Sequence, residues 1–404
     1  MTTGQTRAPR TRPKDRRAQI ALAAAELFCE RGYPAVGIAD IAAAVGITGP
    51  AVYRHFPSKY AILVHATREL SAAALDATAP DEAPAPPHAR LDAVLRGLAR
   101  LAVKRRRMGG SYQWDGRFLE PADRADLRQS MTILLDRITA PLAALRPGLT
   151  AESAALLARG VMSIMISLST HRAAVAAGPA ESLLYATGWQ VLLADMPPPA
   201  HNGMRPSAGL PVGDGVGHAP PASRRETIMA EAVRLFHARG FHAVSMEDIA
   251  TASGTRPSSL YRHFPSKADL LAAVYYRATD QVIAAATAAL AEAKDPRAGL
   301  HGLIYSYVDL VFGQSELVTV YQAENTNLPP ADRHELRKAQ RLHVEEWVRL
   351  LGELRPDLTA AECRVLSHAG LTLIADLARR ARFDRTAGAD DAVAHLALSA
   401  LTPA

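Results

Sequence analysis

Aromatic residues and cysteines are both scarce in this sequence of 404 residues. Only 5% of the residues are aromatic, which favours helical cores of alanine and leucine over aromatic-rich sheets. The two cysteines, Cys29 and Cys363, are too few for a disulfide framework, and this sparse usage fits a protein of the reducing cytoplasm. A small disulfide-rich secreted module is therefore excluded.

Long hydrophobic runs are missing as well. The longest, around residues 161–168, is far shorter than the roughly 18 residues that a membrane span requires. Residues 1–13 contain Arg7, Arg10 and Arg12, but no apolar stretch follows them, so they do not resemble a secretion signal. We therefore expect no membrane partner and a cytoplasmic location.

The motifs of common enzyme classes are also absent. The sequence has no Gly-x-Ser-x-Gly elbow, no phosphate-binding loop and no His-Glu-x-x-His motif, and its 14 histidines show no ligand spacing. Gly213, Gly215 and Gly217 alternate with other residues, but no predicted strand precedes them and their spacing is not that of a nucleotide-binding loop. We predict a protein that is not an enzyme and needs no cofactor or metal.

The sequence does contain an internal duplication. Residues 53–59, with the sequence YRHFPSK, return letter for letter as residues 261–267, an offset of 208 (261 minus 53). The flanking residues match at the same offset, and further along, residues 119–124 correspond to residues 328–333 at an offset of 209 (328 minus 119). The whole first half is therefore repeated, and each copy can be compared with the other.

Each half begins with short predicted helices. In the first copy, apolar residues recur at helical spacing on one face (Ile20, Ala24, Leu27 and Phe28). Gly32 ends this helix, a second follows at about residues 37–45, and a third follows at about residues 48–55 after a tight turn at Gly46. This order predicts a helix-turn-helix; the alternative is a helical hairpin without a role in DNA binding.

The repeated segments resemble the DNA-binding domain of the TetR family of transcriptional regulators. The resemblance rests on YRHFPSK together with Gly32, Gly46 and Asp40-Ile41-Ala42, and it covers about residues 16–70 and 224–278. The duplicated layout is similar to that of single-chain double TetR regulators of actinobacteria. Residues near 12–16 and 113–124 most resemble mycobacterial repressors of mammalian-cell-entry (mce) lipid-transport operons.

The resemblance implies an all-α chain of two tandem units arranged as an intrachain pseudo-dimer. Each unit would have a three-helix DNA-binding domain followed by a helical effector and dimerisation domain. The expected boundaries are a basic disordered arm (1–14), DNA-binding domain 1 (15–70), helical ligand and dimerisation domain 1 (71–195), a Pro/Gly-rich linker (196–222), DNA-binding domain 2 (223–278) and helical ligand and dimerisation domain 2 (279–404).

Positive charge is concentrated at the start of the chain, in Arg7, Arg10, Arg12, Lys14, Arg16 and Arg17. One interpretation is a solvated tail, and the other is an arm that lies on phosphates or in a minor groove. The formal net charge of +6 is by itself only a weak indication of an anionic partner.

The third helix of each copy carries the side chains expected to read DNA, because a helix entering the major groove presents its first turn to the base edges. In the first copy these residues are small and suit thymine methyl groups (Thr48, Gly49, Pro50 and Ala51). In the second copy they include a guanidinium that could pair with guanine or with phosphate, and two hydroxyls (Arg256, Pro257, Ser258 and Ser259).

The resemblance also implies contacts to the DNA backbone in both copies. The positions are the same in the two halves (Tyr53, His55 and Lys59; Tyr261, His263 and Lys267). Ser245 keeps the hydroxyl that usually caps the second helix and touches phosphate, whereas Gly37 does not. The sequence therefore predicts that the copies hold phosphate alike and read bases differently.

Candidate effector residues follow a Tyr-Gln-x-acid pattern in each half (Tyr112, Gln113 and Asp115; Tyr321, Gln322 and Glu324). A few polar groups in an apolar pocket are typical of a small-molecule site, but the same pattern could be a helix end held by side-chain hydrogen bonds. Other large side chains could line pockets or simply fill the core (Trp114, Met131, Met162, Met165 and Trp189; Tyr305, Tyr307, Phe312 and Trp347).

Three functions remain from this reasoning. The first is a repressor that binds a double-stranded DNA operator and is released by a small hydrophobic effector. The second is a constitutive or architectural DNA-binding protein without an effector. The third, an enzyme on a helical scaffold, has no motif in its support.

Overall fold

A computed structural model of the chain describes residues 13–80, 83–107, 118–196 and 223–402. Every regular element in these ranges is a helix, which confirms the all-α prediction. The chain divides into two compact units between Ile138 and Thr139. The second unit therefore contains the last helices of the first half together with the second half.

The described helices of the first half follow the predicted order. They are α1 (Pro13–Arg31), α2 (Ile38–Ala44), α3 (Gly49–Tyr53), α4 (Lys59–Ala77), α5 (Pro87–Lys104), α6 (Pro121–Leu145), α7 (Ala151–Ser167) and α8 (Ala177–Leu193).

The described helices of the second half repeat this order and add one more. They are α9 (Arg224–Arg239), α10 (Met246–Ala252), α11 (Pro257–His263), α12 (Lys267–Ala291), α13 (Pro296–Gly313), α14 (Ser315–Ala323), α15 (Pro330–Leu354), α16 (Ala360–Arg380) and α17 (Ala389–Leu401). By the offset of 209, the helix α14 corresponds to residues 106–114 of the first half, of which residues 108–114 lie outside the described residues.

The first helix takes in part of the predicted basic arm. It begins at Pro13, a favourable first residue because proline lacks the N–H that would be unpaired there. Arg16 donates a hydrogen bond to the Val45 carbonyl at 3.3 Å, and the Arg17 guanidinium lies 4.8 Å from the centre of the Phe56 ring. Both side chains therefore contact the fold, while residues 1–12 lie outside the described residues.

The DNA-binding domains are built around equivalent cores. Ile41, Val52 and Phe56 are at most 1% exposed in the first, and their counterparts Ile249, Leu260 and Phe264 are at most 2% exposed in the second. Burial of these apolar side chains supplies most of the stability of so small a domain. Because Val52 and Leu260 point inward, the opposite face of each third helix points outward.

The turn between the second and third helices requires a left-handed residue in both copies. Gly46 has φ +65° and Gly254 has φ +61°, a region that glycine enters without steric cost. The predicted turn is therefore confirmed in both copies. The third helix of the first copy is shorter than expected, since α3 ends at Tyr53 rather than near His55, whereas α11 ends at His263, the counterpart of His55.

Four helices of the second unit join the two halves of the sequence. From the first half α7 and α8 pack against α16 and α17 from the second half. On α7, the Gly160 backbone lies so near α16 that an added Cβ would be 3.9 Å from the Leu373 side chain. The rings of His171 and His368 stack with their centres 4.3 Å apart. The bundle joins the two halves within one chain, and the pseudo-dimer that the sequence predicts stays a prediction.

Candidate nucleic-acid interface and effector region

The outward face of α3 carries the predicted reading residues of the first copy. Thr48 is the N-cap residue, and Pro50 in the first turn is exposed, as is Tyr53, which keeps 55% of its surface accessible. Gly49, Ala51 and His55 are half-buried beside them.

The corresponding face of α11 carries the reading residues of the second copy. Arg256 is the N-cap residue and is exposed, and Pro257 and Ser258 are exposed in the first turn. Tyr261 keeps 45% of its surface accessible, while Ser259 and His263 are half-buried. The structure therefore brings the predicted residues of each copy onto one surface, and their contacts with DNA stay a prediction.

The caps of the second helices differ as predicted. The Ser245 hydroxyl accepts a hydrogen bond from the Asp248 N–H at 3.0 Å, and the Asp248 carboxylate accepts the Ser245 N–H at 2.9 Å. The Ser245 N–H, together with the Ser245 hydroxyl that donates to the same carboxylate at 2.8 Å, lowers the pKa of Asp248. Gly37 keeps only the second half of this arrangement, with its N–H 2.8 Å from the Asp40 carboxylate. The first copy therefore lacks the hydroxyl that the second copy can offer to a phosphate.

The two lysines predicted to hold phosphate point toward the protein. The Lys59 ammonium donates to the carbonyls of Tyr33 and Val36, each at 2.9 Å. The Lys267 ammonium donates to the carbonyls of Phe241 and Val244, each at 2.6 Å. Burial lowers the pKa of both lysines. Each lysine fixes the loop between the first two helices, a role that sequence reasoning missed.

Replacing Lys267 by alanine is expected to lower the free energy of unfolding by about 1–3 kcal/mol, because two carbonyls lose charge-assisted hydrogen bonds. The predicted phosphate contact adds a second expectation, a salt slope of DNA binding that falls by about one unit. Chemical denaturation and DNA titrations at several salt concentrations measure the two effects. The exposed Lys338 supplies the control variant Lys338→Ala. An unchanged salt slope would contradict the phosphate contact.

The predicted effector residues can be placed only in part. Tyr112, Gln113, Trp114 and Asp115 lie outside the described residues, and so does the side chain of Gln322 in the second half. Met162 is 6% exposed in α7, one of the helices of the bundle that joins the halves. Its burial there is equally compatible with plain core packing, so its role as a ligand contact stays a prediction.

In the second half, Tyr321 and Glu324 tie α14 to its surroundings. The Tyr321 ring stacks on Tyr275 at 4.4 Å, and its hydroxyl accepts a hydrogen bond from Gln340. The buried Glu324 carboxylate accepts the Phe241 N–H at 3.5 Å and the Asn327 amide at 2.8 Å. Glu324 therefore connects the end of α14 to the DNA-binding domain of its own half.

Sequence reasoning missed Tyr275 and Gln340, which contact Tyr321, and it missed His343. Tyr275 donates its hydroxyl to the carbonyls of Val320 and Tyr321, at 2.9 and 2.8 Å. Gln340 and His343 lie on one face of α15 with Trp347, at the spacing of a helix face. The polar residues interrupting that otherwise apolar face were the available signal.

Two surface cavities border the DNA-binding domains. One, of about 480 Å³, lies beside α9 and α12 and has charged walls that include Arg225, Asp280 and Asp332. The other, of about 150 Å³, lies between α4 and α6. Neither cavity is lined by the predicted effector residues. Within the described ranges, no helix is long and apolar enough to cross a membrane, and no cluster of side chains is arranged to bind a metal.

Comparison with known proteins agrees with this geometry. The family model of bacterial regulatory proteins, tetR family, matches residues 20–66 and 228–274. The HTH-type transcriptional repressor KstR2 of Mycolicibacterium smegmatis is 31% identical over 147 residues, which are 34% of this chain and 71% of KstR2. The HTH-type transcriptional regulator UidR of Escherichia coli K12 is 30% identical over 178 residues, 39% of this chain and 86% of UidR.

A solved structure shows the same kind of partial coverage. The TetR family transcriptional regulator PfmR from Thermus thermophilus aligns at 24% identity and a TM-score of 0.39, over 43% of this chain and 96% of PfmR. Each of the three proteins thus covers between about a third and somewhat under half of this chain.

Proposed function

The chain belongs to the TetR family of bacterial regulatory proteins, and from this premise we propose that it is a single-chain repressor released by a small hydrophobic, lipid-like effector. The proposal rests on the presence of two features in one chain: two candidate DNA-reading helices with unlike first turns, and one helical bundle that joins the two halves. In α3 and α11 the exposed first turns differ, while α7 and α8 supply to α16 and α17 the contacts that a second subunit would otherwise provide.

The proposal includes a specific operator. Competition between a fragment of the chain's own promoter and random DNA of equal length tests it. We expect the affinity for the promoter fragment to exceed the affinity for random DNA by about a thousandfold or more, because this ratio is the usual lower limit for a sequence-specific DNA-binding protein. Equal binding of both fragments would instead indicate an architectural DNA-binding protein.

Light scattering of the purified protein is expected to give a mass near 43.2 kDa, that of one chain. The physical reason is that α7 and α8 are already covered by α16 and α17, so the apolar faces used for pairing are buried within one chain. Gly160→Trp is the variant designed to disrupt the bundle, because even a Cβ at this position would lie only 3.1 Å from the Val191 side chain. A stable mass of twice 43.2 kDa for the unaltered protein would contradict the intrachain pairing.

A further inference from the structure

The two halves differ sharply at four equivalent positions beneath their DNA-binding domains. In the second half these positions hold polar or aromatic side chains, three of them able to form hydrogen bonds to a ligand. In the first half all four hold aliphatic or thioether side chains. In chain order the pairs are Tyr307 and Leu98, Gln340 and Met131, His343 and Leu134, and Trp347 and Ile138.

In the second half these side chains form one cluster. The His343 and Trp347 side chains share a hydrogen bond in which the indole N–H donates to His343 Nε2 at 3.2 Å. The centre of the Tyr307 ring lies 6.4 Å from the centre of the Trp347 ring and 6.5 Å from the centre of the His343 ring. Gln340 continues the same face of α15 and donates to Tyr321 on α14. Tyr307, Tyr321 and His343 are half-buried, so their polar atoms are partly accessible.

One buried polar group beside this cluster has no well-aligned hydrogen-bond partner among the described residues. It is the hydroxyl of Thr279, which is 8% exposed and lies one turn beyond Tyr275 on α12. Burial raises the pKa of Tyr321, and the neighbouring Thr279 and Gln340 side chains offset part of that rise. A ligand oxygen at this place would give the buried hydroxyl the hydrogen-bond partner that it lacks.

The cluster is uncharged at neutral pH. Burial raises the pKa of Tyr307 to about 12, so the phenol keeps its proton. Burial lowers the pKa of His343 to about 4, against a smaller opposite effect of Glu346, so the imidazole is neutral. An anionic ligand would therefore meet no counter-charge in the cluster, which is costly, whereas a neutral ligand with oxygen atoms can exchange hydrogen bonds with the phenols and the carboxamide.

In the first half three of the four positions are buried. Leu98, Leu134 and Ile138 are 4%, 2% and 0% exposed. The first half therefore uses these positions as hydrophobic core.

We propose that the chain senses its effector on one side only: the second half binds one neutral, largely apolar ligand with oxygen atoms at the cluster of Tyr307, Tyr321, Gln340 and His343. This inference rests on the proposed function and adds the stoichiometry and the ligand class. Occupation of the cluster moves α14 through Tyr321, and Glu324 at the end of α14 passes that movement to the Phe241 N–H of the DNA-binding domain.

Titration with two dyes of similar size tests the proposal: neutral Nile red and the anion 8-anilinonaphthalene-1-sulfonate. We expect one molecule of Nile red per chain, quenching of Trp347 fluorescence, and binding of the anion weaker by about tenfold or more. Trp347→Phe identifies the fluorescence signal. Two molecules of Nile red per chain, tighter binding of the anion, or no binding of Nile red would each overturn the proposal.

A matched set of variants locates the site. Tyr307→Leu/Gln340→Met/His343→Leu gives the second half the residues of the first half and is expected to abolish Nile red binding. Tyr321→Phe removes only a hydroxyl and is expected to weaken binding about three- to tenfold. The control Met131→Leu, in the first half, is expected to bind normally. Unchanged binding by the triple variant, or loss in Met131→Leu, would contradict the assignment.

Operator binding without dye separates this inference from the proposed function. The triple variant is expected to bind the promoter fragment as the unaltered chain does, and to stay bound when Nile red is added. If the unaltered chain does not prefer the promoter fragment, the proposed repressor fails whatever the dyes do. If the unaltered chain prefers the promoter fragment but Nile red still releases the triple variant from that fragment, the proposed one-sided site is wrong while the proposed repressor stands.

Discussion

Replacing Asp376 by alanine is expected to lower the free energy of unfolding by about 2–4 kcal/mol, because it removes the central polar group of the interhalf bundle. The Asp376 carboxylate is 4% exposed and accepts the Ser163 hydroxyl at 2.6 Å and Arg380 Nε at 3.1 Å. Loss of a buried, fully bonded carboxylate costs about 3–5 kcal/mol. The figure is reduced here because Arg380 is partly exposed and can be solvated.

The same change is expected to weaken binding to a complete operator more than binding to a half-site. In the proposed repressor the bundle links the two halves of the chain so that both readers bind at once, and loosening it reduces the effective concentration of the second reader, by about tenfold. Thermal unfolding and gel-shift titrations with full and half operators measure the two effects. Asp376→Asn keeps the shape and is expected to fall between the parent and Asp376→Ala.

An exposed carboxylate provides the surface control. The Asp357 side chain is 60% exposed and pairs with the less exposed Arg355 at 3.0 Å, and Asp357→Ala is expected to change both measurements less than Asp376→Ala because this carboxylate is largely solvated. Equal effects of Asp376→Ala and Asp357→Ala would show that the bundle does not depend on its buried carboxylate.

The helix-turn-helix was predictable because its determinants are local. The apolar spacing, the Gly46 and Gly254 turns and the Ser245 cap each act within a few residues, and each has the expected geometry. The repeat supplied a second, independent reading of the same pattern. Only the helix ends differed, because the final turn of a short helix depends on small differences in propensity.

The interior of the helical domains was less predictable because its contacts are distant in sequence. Ser163 and Asp376 are 213 residues apart, and the sequence contains no local signal for their hydrogen bond. The inward direction of Lys267 depends on two carbonyls more than 20 residues away. For Tyr321 and Glu324, the pattern allowed either a ligand site or a helix end held by hydrogen bonds. The structure places them in hydrogen-bonded positions beside a polar cluster that the pattern did not contain.

Exchanging residues 48–51 with residues 256–259 is expected to reverse the orientation in which the chain prefers its operator. The first segment is small and suits thymine methyl groups, while the second carries the Arg256 guanidinium and two serine hydroxyls. We therefore expect an operator whose two halves have unlike sequences, rather than the palindrome that a symmetric dimer would read. Each lost base match costs about 1–3 kcal/mol, so two lost matches reduce affinity by about thirtyfold or more.

The exchange is structurally feasible. Thr48 and Arg256 both have extended backbones at the N-cap, and a proline stands within the first two positions of both helices. A side chain at Gly49 would meet only the Ile38 side chain, at an ordinary distance of 4.0 Å from its Cβ. Position 49 therefore accepts a side chain without a steric clash of its Cβ.

Footprinting and selection from a randomised library provide the measurement. The unaltered chain is expected to select two unlike half-sites, the exchanged chain the same half-sites in inverted order, and Arg256→Thr a site with relaxed sequence only in the second half. His55 and His263 are unchanged in all of these variants, so backbone contacts at these positions cannot explain a difference in preference. Selection of a perfect inverted repeat, unaffected by the exchange, would show that the two first turns do not set the operator sequence.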